Sequence, residues 1–115
     1  MNLVNKTCEP CKHWMPSLKG EKLKKYLLEV NENWKTYDMQ SKIKREFVFE
    51  DFKRAIIFVN MVADLAESEG HHPNIYIYNW NKVRIELWTH KINGLHENDF
   101  ILASKIDNLV MKDNP

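Results

Sequence analysis

The stretch from Glu50 to Pro73 constrains this chain more than any other. Behind Glu50 and Asp51, the apolar residues Phe52, Ala55, Ile56, Val59, Val62, Ala63 and Ala66 recur at the spacing of a helix core face. Ile57, Phe58, Met61 and Leu65 make a second stripe beside the first. Gly70 ends the run, since a residue without a Cβ can take the left-handed conformation that closes a helix. One apolar face is enough to cover a sheet. The second stripe therefore either widens the core face or meets another subunit.

Strand-like stretches flank this helix in pairs. Upstream, Trp34–Met39 is followed closely by Ile43–Glu50, which alternates Arg45, Phe47 and Phe49 with Lys44, Glu46, Val48 and Glu50, so a hairpin is expected. Downstream, Ile75–Trp80 turns through Asn79–Lys82 into Val83, Ile85 and Leu87, which alternate with Arg84, Glu86 and Trp88. Ser17 is placed to cap a first helix carrying Leu18, Leu23, Leu27 and Val30, ending near Asn31 to Asn33. Gly94–Leu95 turns into a last helix with Leu102, Ala103, Ile106, Leu109 and Val110 on one face. The order α-β-β-α-β-β-α, with short links, leaves a parallel crossover only through the central helix. The expected fold is α+β, one domain with a four-stranded, mostly antiparallel sheet and three helices on one face. Residues 1–16 lack periodicity and are expected to form an irregular leader, dispensable for folding and activity, with the domain spanning 17–115.

A length of 115 residues suits one domain. With 17 basic and 16 acidic residues, the net charge of +1 gives no field that would draw the chain onto nucleic acid or an anionic membrane. The longest apolar run, Ala55–Val59, is too short to cross a bilayer, and the first residues lack the apolar centre of a signal peptide. The expectation is a cytoplasmic protein with no direct nucleic-acid partner and no membrane partner. Cys8-Glu-Pro-Cys11 supplies half a zinc site, or a redox pair where it opens a helix after a strand. No second CxxC follows and no strand precedes it, and His13 is poorly spaced as a third ligand. A reduced, structurally incidental pair is the plainest reading.

Chemistry concentrates on histidines. His71 and His72 follow the Gly70 cap, and Pro73 forces His72 into an extended backbone. His90 lies at the end of the last strand, on the Arg84, Glu86 and Trp88 face. A loop after a helix and the end of a strand can converge on one pocket, where imidazole gives or takes a proton near neutral pH. A histidine at a helix C-terminus is also favoured by the helix dipole without any function. Glu67, one turn before His71, could orient an imidazole, form a surface pair or begin a metal site.

The larger pattern Glu67-x3-His71-His72-Pro73-x6-Trp80-x9-His90-x8-Asp99 resembles the signature of the pterin-4a-carbinolamine dehydratase family. So do Phe47-Val-Phe-Glu-Asp-Phe52, Ala63-Asp-Leu-Ala-Glu67, Thr89-His90, Gly94-Leu95, Asp99-Phe100 and Ile106-Asp107, covering the chain from about Leu23 to Asp107. The six-residue gap between Pro73 and Trp80 is similar to the plant and bacterial branch, where a CxxC leader is also common. His96 stands where the family usually has Ser or Thr, which predicts a cap weakened by about 0.5–2 kcal/mol. The resemblance implies dehydration of 4a-hydroxytetrahydropterin to quinonoid dihydropterin, regenerating the tetrahydropterin used in aromatic amino-acid hydroxylation. It implies that His72 is the principal acid/base, while His71 and His90 bind the pterin and stabilise the transition state. Pro73, Thr89, Lys91 and Ile92 would complete the substrate site, and Glu67 and Asp99 would orient the histidines. No cofactor and no metal are implied, and the partners are the pterin and further copies of the chain, as homodimer or homotetramer. Two alternatives remain: an interaction module for a transcription-factor partner, and a metal-dependent hydrolase using Glu67, His71, His72 and His90.

Overall fold

The computed structural model describes residues 1–113, with side chains through Val110. After a short 3-10 turn at Leu3–Asn5 come α1 (Gly20–Leu27), β1 (Lys35–Tyr37), β2 (Lys42–Val48), α2 (Phe52–Glu69), β3 (Asn74–Tyr78), β4 (Lys82–Leu87) and α3 (Glu97–Asp113). The strands form one sheet in the order β1-β2-β4-β3, with every pair antiparallel. The register sets Ile43 opposite Leu87, Phe47 opposite Val83 and Ile75 opposite Ile85. Directly paired residues share a face, so these pairings gather the apolar side chains on the side that meets the helices. Among the described residues no helix is long and apolar enough to cross a membrane.

Asp51 starts α2 by accepting a hydrogen bond from the Arg54 N–H, and Gly70 ends it at φ 66°. Between those caps the buried residues are Ala55, Phe58, Val62 and Ala66. The core face therefore lies between the two stripes of the sequence, three residues from one and Phe58 from the other. Phe58 decides the rotation, because its ring stacks on Phe47 at 4.8 Å and on Phe49 at 5.0 Å. Phe52 and Ala63, expected in the core, turn outward, as does Ile57.

Two expectations at the N-terminal end need correction. The first helix starts at Gly20 with Lys19 at its N-cap, not at Ser17. Ser17 instead packs on Gly94, where an added Cβ would come within 2.2 Å of the Ser17 hydroxyl oxygen, while the Leu18 N–H donates to the Leu95 carbonyl. The leader is irregular but anchored, because Leu3 is 3% exposed and belongs to the core cluster. Its turn covers α3 on a side the sheet leaves open, which is why Phe100, Ile101, Leu102 and Ala103 are all buried. A single leucine in a non-periodic segment carries no such signal, and its burial ties the leader to the core. On the far side, Asp107 of α3 accepts from the Trp34 indole N–H, the Asn31 N–H and Arg45, tying the segment before β1 to the helix.

The rotation of α2 sets a stability test. Phe58→Ala should cost about 3–5 kcal/mol as a core truncation, whereas Ile57→Ala should cost less than about 1 kcal/mol. Urea unfolding of both variants measures the difference, and equal losses would contradict this packing.

Candidate functional site

The C-terminal end of α2, the loop after β4 and the start of α3 meet around a cleft of about 500 Å³, within the range of small-ligand sites. Gly70, His71 and His72 line one part of it, and Thr89, His90 and Lys91 another. The left-handed Gly70 throws the two histidines off the helix, and the His71 N–H closes the helix end on the Ala66 carbonyl. Pro73 and Ile92, expected among the substrate contacts, do not line the cleft. His90 stands in a 3-10 turn, His90–Ile92, because β4 stops at Leu87. Thr89 and Gly94 exchange backbone hydrogen bonds that pinch this loop shut.

Asp99 organises the cleft. Its carboxylate is wholly buried and accepts from His71 Nε2 at 2.6 Å, from Thr89 Oγ1 at 2.9 Å and from the His96 N–H at 3.0 Å. The last contact is half of a capping box at the start of α3. His96 adds a separate cap contact, with its Nδ1 accepting from the Asn98 N–H one residue earlier. An imidazole nitrogen thus stands where the family's hydroxyl oxygen would accept. Thr89 and His96 both donate to Oδ2, which leaves Oδ1 to His71 Nε2.

The other two imidazoles are held differently. His72 pairs through Nε2 with Glu67, one turn back on α2, and both side chains are exposed. The sequence spacing suggested Glu67 for His71, but Asp99 takes that place. His90 stacks on Trp88 with ring centroids 4.5 Å apart, and Lys42 lies 4.3 Å over the same indole. Among the described residues no group of three or more His, Cys, Asp or Glu side chains is arranged to hold a metal ion.

Sequence reasoning missed a whole wall. Cys8, Glu9, Pro10 and Cys11 line the cleft, with Glu69 and Asn98. Glu69 accepts from the Cys8 N–H at 2.8 Å and pairs with Lys105. Burial, and then the Glu69 carboxylate, push the Cys8 thiol up to about 12, so it stays protonated at neutral pH. Burial alone would raise Glu69, but hydrogen bonds from Lys105 and the Cys8 N–H outweigh it and hold the carboxyl below its usual range.

The chain matches the model of the pterin 4 alpha carbinolamine dehydratase family over residues 16–109. A relative from Methylococcus capsulatus is 48% identical over 108 residues, covering 94% of this chain and 93% of its own. One from Alkaliphilus metalliredigens is 43% identical over 106 residues, covering 92% and 94%. Both are named pterin-4-alpha-carbinolamine dehydratase. Among solved structures, a protein from Brucella melitensis described as a transcriptional coactivator/pterin dehydratase superposes with a TM-score of 0.75 at 31% identity, covering 82% of this chain and 98% of its own.

The lowered Glu69 carboxyl has a pH consequence. A depressed folded-state pKa gives stability that is present above the unfolded value, near 4.3, and is lost as pH falls through the folded value. Glu69→Gln should therefore cost about 2 kcal/mol at neutral pH, with the gap to the wild type closing in acid below the ordinary carboxylate range. Thermal melts of both proteins across pH test this; a gap independent of pH would contradict the ionised pair.

Proposed function

The chain belongs to the pterin-4a-carbinolamine dehydratase family and is a dehydratase, a lyase; from that premise we propose that it removes water from 4a-hydroxytetrahydropterin by histidine acid/base catalysis. The observation that carries this reading is the convergence of His71, His72 and His90 on one cleft, each held by a different neighbour. The carbon–oxygen bond at C4a breaks, the departing hydroxyl takes a proton from an imidazolium, and the proton on the adjacent ring nitrogen passes to a base. The nitrogen lone pair then closes the new double bond, giving quinonoid dihydropterin and water. Only protons move, and positioned imidazoles supply this kind of help, worth about 10²–10⁴-fold.

In this reading His72 is the principal acid/base, exposed beside Glu67 and in contact with solvent. His71, fixed by Asp99, and His90, backed by Trp88, bind the ring and stabilise charge as it develops. Thr89 and Lys91 hold the ring edge, and Pro73 sets the direction of His72, while Ile92 stands behind the lining of the cleft. Glu67 and Asp99 orient their imidazoles. The product feeds tetrahydropterin regeneration, and the half-buried reduced thiols Cys8 and Cys11 suit the cytoplasm. A role as an interaction module is the second reading, favoured by the double description of the Brucella relative. Dehydratase turnover by the purified chain separates the two.

We further propose that copies of the chain associate through α2 as homodimer or homotetramer. Phe58, only 1% exposed, is unavailable for this, but Phe52 and Ile57 on the same helix are 53% and 46% exposed. Closed symmetry is the usual way to cover such surface.

His72→Ala should lose about 10²-fold or more of the catalysed rate while folding normally, with His71→Ala and His90→Ala each losing less. Wild-type rates in all three would overturn the site. Phe52→Glu/Ile57→Glu should lower the assembly state at unchanged secondary structure, and a wild type found monomeric by light scattering would remove the assembly proposal.

A further inference from the structure

The proposed chemistry leaves unused the one wall of the cleft that the leader builds. That wall is fixed by a specific device. Asn98, 3% exposed, grips both backbone groups of Glu9: the Glu9 N–H donates to Oδ1 at 3.0 Å, and Nδ2 donates to the Glu9 carbonyl at 2.6 Å. An amide that matches the donor and the acceptor of one residue holds it in a single orientation. Glu69, itself held by Lys105, fastens the preceding residue through the Cys8 N–H. The same first turn of α3 thus holds His71 through Asp99 and the leader through Asn98.

Charge on this wall is not balanced within the chain. Glu69 has Lys105 as its partner, but the Glu9 carboxylate makes no ion pair or hydrogen bond among the described residues. The other lining residues with polar side chains are Cys8, Cys11, His71, His72, His90, Lys91, Thr89 and Asn98, which leaves the solvent-exposed Glu9 as the one lining carboxylate without a partner among the described residues. A pterin carries a 2-amino-4-oxopyrimidine ring whose ring N–H and exocyclic amino group are adjacent donors. A carboxylate accepts such a pair with both oxygens, and charge-assisted bidentate contacts of this kind are among the stronger ones.

We propose that Glu9 is a substrate-binding carboxylate that takes the N–H edge of the pyrimidine ring, with Asn98 as its positioning residue. The leader is then a specificity wall that selects a 2-amino-4-oxo ring and turns its reactive carbon towards the histidines. This rests on the pterin dehydratase reading. A contact far from the reacting bond holds ground state and transition state alike, so its loss raises KM and leaves kcat in place.

The test is steady-state kinetics on the full-length chain with chemically generated 4a-hydroxytetrahydropterin. Glu9→Gln should raise KM about tenfold with kcat near the wild type, and Glu9→Asp should recover most of the loss. Asn98→Asp keeps the acceptor for the Glu9 N–H but removes the donor to its carbonyl, and should also raise KM at unchanged kcat. An active wild type with unchanged KM in Glu9→Gln and Asn98→Asp overturns the proposal. So does a fall in kcat alone, which marks the leader as structural only. A wild type that leaves the carbinolamine untouched defeats the dehydratase reading itself and this proposal with it.

Discussion

A carboxylate with no exposure to water costs several kcal/mol unless donors replace its hydration. Asp99 meets that demand with three donors from three segments: His71 after α2, Thr89 after β4 and His96 at the start of α3. Any relative slip of those segments would leave part of a buried charge unsatisfied. The requirement therefore fixes the geometry of the cleft as firmly as apolar packing fixes the sheet. It also places the carboxylate in the first turn of α3, where the helix dipole favours negative charge. Stability and the placement of His71 follow from the same set of contacts.

Much of the architecture was legible because it is written in local patterns. Alternation in Ile43–Glu50 and Val83–Leu87, the Gly70 cap and the apolar runs of α2 and α3 each depend on neighbours a few residues away. What failed depended on distant ones. An α2 that is apolar on two stripes has no preferred rotation of its own; Phe58 acquires one only when Phe47 and Phe49 meet it. Ser17 has the chemistry of a cap, yet the close approach to Gly94 takes its hydroxyl elsewhere. His96 lacks the usual oxygen, yet its ring nitrogen reaches the Asn98 N–H.

The site divides in the same way. His71, His72 and His90 stand out by residue type and spacing, and Asp99 by its place in the wider pattern. The partner assignment within the site was not legible, because a turn of helix between Glu67 and His71 suggests a contact that the left-handed Gly70 redirects to His72. The leader wall was invisible for a further reason. Its anchors join Cys8 to Glu69 and Glu9 to Asn98 across 61 and 89 residues of sequence, by hydrogen bonds that leave no periodic trace. An asparagine beside the capping Asp99 is an ordinary helix-start residue until the segment it holds is seen.

Access to water separates His71 from the exposed His72 and His90, and that difference bears on the roles proposed for them. Dehydration takes one proton from the ring nitrogen and gives one to the departing hydroxyl, so it is neutral overall. The group that donates is not left in its starting state unless the two protons are exchanged between turnovers. Under the proposed mechanism His72, with its side chain 60% exposed, is open to that exchange through bulk water, whereas His71 is 13% exposed and its Nε2 faces the buried Asp99. A locked imidazole is better suited to a fixed hydrogen bond on the ring. A wet one is better suited to repeated proton transfer. The carboxylate partners reinforce this split: Asp99 immobilises, while the exposed Glu67 orients His72 and leaves its approach to solvent open.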